Sequence, residues 1–208
     1  MGGATTVEKV EKTSGARLVP VLPLRDTCLF PGASLSLAVD EPGAAAAVLM
    51  AVRTGGSLVA VARREGDEGP RALYDVGTLA LVREQHALSP REQQVELDGL
   101  SRARLDHVIG LDLLVAEVSP LPEGDEGDEW GPAVEALARY LHAHPDLRTF
   151  LEARRRSSAP LAWVALACQH LPVSPSMRQS LLEAGAAERC GRIGRGLEAL
   201  LKKEQQQS

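Results

Sequence analysis

A chain of 208 residues, 44% of them hydrophobic, has enough interior for one large domain or two modest ones without disulfide or metal support. Its formal net charge of −5 gives no long-range attraction to a polyanion, which weighs against nucleic-acid binding by charge alone. Three cysteines with no Cys-x-x-Cys spacing argue against a disulfide framework and a structural zinc site, and no uncharged run is long enough to span a bilayer, so a cytoplasmic setting is expected.

Residues 1–16 hold no apolar stretch and are expected as a disordered N-terminus. From 17 to 122, short apolar runs separated by glycine, proline and acids predict strands and turns, most clearly over 34–39, 58–62, 78–82, 95–97 and 113–118. Residues 43–52 interrupt them with a helix: they are rich in alanine, Val48 and Val52 stand at i, i+4, and Gly55-Gly56 supplies the stop. Residues 64–70 read as an exposed polar connection. Residues 123–129 hold five acids and two glycines, cannot bury apolar surface, and mark a linker between two subdomains.

Helical periodicity takes over beyond the linker. Val134, Leu137 and Leu141 share one face, as do Leu147, Phe150 and Leu151, and then Leu161, Val164, Cys168 and Leu171. Ser174 followed by Pro175 forms an N-cap and first helical position, with Met177 and Leu181 on the face that follows. A last helix carries Ile193, Leu197, Leu200 and Leu201. Its glycines 191, 194 and 196, each costing up to ~1 kcal/mol against alanine, predict a weak or bent start. Residues 130–203 thus form a helical bundle, and 204–208 a tail.

Lysine occurs only at positions 9, 12, 202 and 203, so no phosphate-cradling Gly-x-x-x-x-Gly-Lys loop exists. His142, His144 and Asp146 have metal-ligand chemistry, but residues two apart on a helix diverge and Pro145 ends the helix, so no metal site is assigned. No base at recognisable spacing activates Cys28, Cys168 or Cys190. No cofactor pattern is found; Gly191 to Gly196 has inverted dinucleotide-loop spacing and no preceding strand.

The segment Pro23-Leu24-Arg25-Asp26, followed by Thr27-Cys28-Leu29 and then Phe30-Pro31-Gly32, resembles the opening of the Lon protease N-terminal domain family. Residues 73–80, 95–105 and 171–174 extend the resemblance in the family's order. It implies an α+β fold: an N-terminal PUA-like β pseudo-barrel with an inserted helix, then a C-terminal α-helical bundle. It also implies a non-catalytic, free-standing recognition module for unfolded or extended polypeptides or a protease partner, self-association being a further possibility. The family's Ser-Lys peptidase dyad has no counterpart, because no lysine falls within a core segment. Candidate polypeptide contacts are Leu29 and Phe30 at the motif loop and Asp40 and Glu41 before the inserted helix. The alternative is RNA binding through the PUA-like half, with Arg102, Arg104 or Arg154 to Arg156 on phosphate.

Overall fold

The computed structural model describes residues 17–64, 72–89, 91–124, 130–154 and 160–207. The expected 64–70 connection and the 123–129 linker lie mostly outside them, as do residues 1–16. Among the described residues the chain runs β1 (Arg17–Leu24), β2 (Ser34–Val39), α1 (Pro42–Arg53), β3 (Ser57–Ala62), β4 (Val76–Ser89), β5 (Glu92–Ile109) and β6 (Val115–Pro120). Five helices follow: α2 (Trp130–Ala143), α3 (Pro145–Arg154), α4 (Pro160–His170), α5 (Pro175–Glu183) and α6 (Ala186–Gln207).

The six strands form one mixed sheet in the order β2-β5-β4-β3-β1-β6, with β1 parallel to β3 and the second half of β5 also paired to β6. This corrects the pseudo-barrel expectation. A barrel abolishes strand edges, whereas among the described residues β2 pairs with β5 alone and leaves its other side open. Strand β1 shows why its run is almost continuously apolar: both faces are covered. Leu22 and Leu24 point into a core shared with Val48, Ala51, Leu58 and Leu97, while Val19 and Val21 join Val59, Val61, Leu105 and Val118 on the other face. Helix α1 closes the first of these cores with Ala44, Val48 and Ala51.

The outer arms of β4 and β5 exceed the expected strands, and the reason is polarity on both faces. Residues 83–89 of β4 are all exposed, so no alternation reveals them. Cross-strand partners hold them instead: Arg83 with Asp98, and Gln85 with Gln93.

The helical half packs around Leu137, Leu141, Leu151, Val164, Leu171, Leu182 and Leu197, and the same core takes in Cys28, Phe30 and Ala33 from the β half. Ser174 caps α5 as expected, its Oγ accepting from the Met177 amide at 3.2 Å. Helix α6 departs from expectation by running unbroken through its three glycines and on to Gln207. Packing offsets their poor propensity: α2 lies against α6, and Gly191, Ile193 and Leu197 are buried.

A polar lock joins the halves. Arg102 on β5 is 3% exposed and donates to the carbonyls of Leu182, Glu183 and Ala184, which end α5, and to Glu123 Oε1 at 2.9 Å. Arg189 of α6 grips the other Glu123 oxygen at 2.9 Å. Buried Gln179 donates to Val76 O, and buried Gln169 donates to Ser34 O while accepting from the Phe30 amide.

Candidate functional site

The motif loop after β1 is built on backbone geometry. Asp26 adopts φ +55° and Gly32 φ +79°, the left-handed region that lets the chain reverse twice within seven residues. Between these points Leu29 and Phe30 turn inward, both 0% exposed. Thr78 Oγ1 donates to Leu29 O at 2.5 Å, and Gly99 and Gly32 close the loop through Gly32 N to Gly99 O and Gly99 N to Ala33 O, each 2.9 Å. Gly99 is required by close approach, since a β-carbon there would stand 2.2 Å from Phe30 O. In this structure Leu29 and Phe30 therefore serve as packing, Leu29 in the sheet core and Phe30 in the core of the helical half.

Asp40 and Glu41 lie together on the surface, where β2 hands over to α1. Glu41 sits at the N-cap position of α1 and its carboxylate pairs with both Arg25 and, at 2.9 Å, Arg63. Three shallow cavities meet at this handover. One of about 320 Å³ has Glu41, Arg63, Pro23, Leu73, Leu111 and Leu114 in its walls. A second of about 630 Å³ lies between Asp40, Pro42 and Ala45 and the β4–β5 tip at Ala87, Arg91 and Gln93. The third, about 170 Å³, runs between the end of β1 and β2, lined by Pro23, Arg25, Thr27, Leu37, Ala38 and Glu41. No residue of β5 lines it.

The structure thus brings Asp40 and Glu41 together and separates them from Leu29 and Phe30. Arg63 escaped the sequence reading as a site residue, as did the pairing of Arg25 and Arg63 with Glu41, which spans 16 and 22 residues and leaves no local pattern. Leu111 was also missed, although an apolar residue between Gly110 and Asp112 in a turn is a readable signal; it is 93% exposed.

Elsewhere the chemistry is quiet. Burial pushes the Cys28 and Cys168 thiols up to about 12, so both stay protonated and non-nucleophilic near neutrality. No cluster able to hold a metal occurs among the described residues. His144 instead stacks on Tyr140 with ring centroids 4.1 Å apart and reaches Glu204 at 3.3 Å. Arg102, expected as a phosphate contact in the RNA alternative, is committed to the lock. No helix among the described residues is long and apolar enough to cross a membrane.

Residues 18–197 match the family model described as the ATP-dependent protease La (LON) substrate-binding domain. The chain belongs to the Lon substrate-binding domain family. Lon protease 1 of Thermus thermophilus is 31% identical over 196 residues, which are 88% of this chain and 24% of that protein. Lon protease of Phenylobacterium zucineum is 29% identical over 194 residues, again 24% of its length against 83% of this chain. The chain therefore spans 24% of these two Lon proteases. Among solved structures, the N-terminal domain of Mycobacterium avium complex Lon protease superposes with a TM-score of 0.71 at 21% identity, covering 88% of this chain and 98% of that one. A Lon N-terminal domain protein from Xanthomonas campestris gives 0.60 at 24% identity, covering 89% and 98%. The match falls on the non-catalytic recognition domain of Lon, not on its ATPase or protease domains.

Proposed function

We propose that this chain holds extended or partly unfolded polypeptide for ATP-dependent proteolysis, and that the segment lies along the open edge of β2. The observation that carries the reading is that, among the described residues, β2 is paired on one side only, with the groove of Pro23, Thr27, Leu37 and Ala38 next to it. An incoming strand gains main-chain hydrogen bonds at such an edge, and alternate side chains enter neighbouring pockets. Exposed Asp40 lies where the groove ends, while Glu41 is already held by Arg25 and Arg63, so a basic residue next to an apolar one suits the Asp40 end. Leu29 and Phe30 fix the loop from beneath. Capture is reversible and needs no covalent step.

The test is fluorescence anisotropy of a fluorescein-labelled, permanently unfolded polypeptide, with single-stranded RNA in parallel. Saturable polypeptide binding is expected, weakened about tenfold in Ala38→Trp, which fills the groove from an exposed position. RNA is expected not to bind. Polypeptide binding that ignores Ala38→Trp, or binding of RNA alone, overturns the reading.

A further inference from the structure

Two glycines of α6 stand on opposite sides of the helix, about 200° apart at two residues' separation. Gly194 faces α2, where a β-carbon would already lie 3.6 Å from Ala133 Cα, so this glycine lets two backbones approach. Gly196 carries the same helix-propensity cost, yet a β-carbon there would meet nothing within 4 Å. Its side of α6 forms a wall of a groove of about 530 Å³ shared with α5 and the connection between α4 and α5. Buried Leu171, Leu181, Ile193 and Leu197 form its floor, the half-buried Val173 and Leu200 supply accessible apolar surface, and Met177 stands 53% exposed at the rim.

The charged residues lining this groove are both arginines, Arg192 and Arg195, with no acid beside them in the lining. Arg192 is held by Glu188 at 2.6 Å and Ser180 Oγ at 2.7 Å. Arg195 is exposed and has no ion-pair or hydrogen-bond partner among the described residues. An apolar trough, a helix backbone left bare by glycine, and a cationic rim with one uncommitted guanidinium specify the chemistry of an occupant.

We propose that this groove docks an amphipathic α-helix of a partner protein, apolar on the inserted face and acidic along its flank. The apolar stripe at i, i+3 or i+4, i+7 covers Val173, Met177 and Leu200, and Gly196 admits its backbone closer than the usual interaxial distance of roughly 8–10 Å. Carboxylates on the flank meet Arg195 and Arg192, which sets orientation and repels a basic helix. The pliant Met177 thioether adjusts the rim to the partner's side chains. The groove lies in the helical half, so the proposal does not rest on capture at the β2 edge.

Two labelled helical peptides with one shared leucine stripe test it, one flanked by glutamates and the other by lysines. The glutamate peptide is expected to bind saturably and about tenfold more tightly than the lysine peptide. Gly196→Leu, which fills the bare wall, and Arg195→Glu each weaken it about tenfold, while Asp40→Lys at the distant β2 handover leaves it unchanged. Arg195→Glu changes an exposed side chain and keeps the test open if Gly196→Leu distorts α6. Equal affinity for both peptides, or glutamate-peptide binding indifferent to both variants, overturns the proposal.

Discussion

Phe30 and Gly99 form a pair in which one residue fills space and the other leaves it. Phe30→Ala is expected to cost about 3–5 kcal/mol, as for a large aromatic removed from a closed core. Gly99→Ala is expected to cost at least about 2 kcal/mol, because its new carbon collides with a carbonyl that the loop cannot move. Urea unfolding followed by circular dichroism checks both. His170 adds a pH dependence. Burial first, then the Arg154 and Arg178 guanidiniums, push its imidazole down from 6.5 to about 4. Between those values the unfolded chain binds the proton and the folded chain does not. The stability from neutral His170 is thus present above the unfolded value and lost as pH falls through the folded one. The urea midpoint should fall from pH 6.5 to 4 in the parent, and His170→Gln should flatten that slope. A residue's chemistry was legible where it is local, as with the Ser174 cap. It was hidden for His170, which reads as an isolated histidine until Arg154 and Arg178 are placed around it.

At the scale of elements, α6 makes the clearest prediction. Gly196→Ala should stabilise the protein by up to ~1 kcal/mol, since the space is empty and the helix gains propensity. Gly194→Leu should instead lower the melting temperature by forcing α2 and α6 apart, and differential scanning calorimetry separates the two. Sequence alone placed these glycines as a weakness because propensity is a one-helix quantity and Ala133 lies on another helix. The inserted helix and β2 were readable, the first from its alanine run and glycine stop, the second from Leu35, Leu37 and Val39 alternating with small polar or exposed residues. The arms of β4 and β5 were not. Their stability comes from cross-strand pairs such as Arg83 with Asp98, and pairing across strands leaves no trace in a hydropathy window.

For the whole molecule, the joint between the halves decides cooperativity. Glu123 compensates two nearly buried guanidiniums, so Glu123→Gln leaves Arg102 and Arg189 without their countercharge at a cost of about 1–3 kcal/mol. Thermal unfolding, expected as one transition in the parent, should broaden or split in that variant. The bipartite order of strands and then helices was legible from periodicity. The open sheet was not, because which strand stays unpaired depends on long-range register. The candidate surface was half legible: Asp40 and Glu41 share a turn, but the arginines that hold Glu41 stand just past the ends of β1 and β3. The cross-joint contact of Phe30 also has a consequence for biosynthesis. Its amide partner Gln169 lies 139 residues downstream. At roughly 5–20 residues per second, a ribosome leaves that aromatic uncovered for about 7–28 seconds. Through that interval the nascent β half offers a greasy handle to whatever chaperone waits at the tunnel exit, and the handle vanishes when α4 arrives.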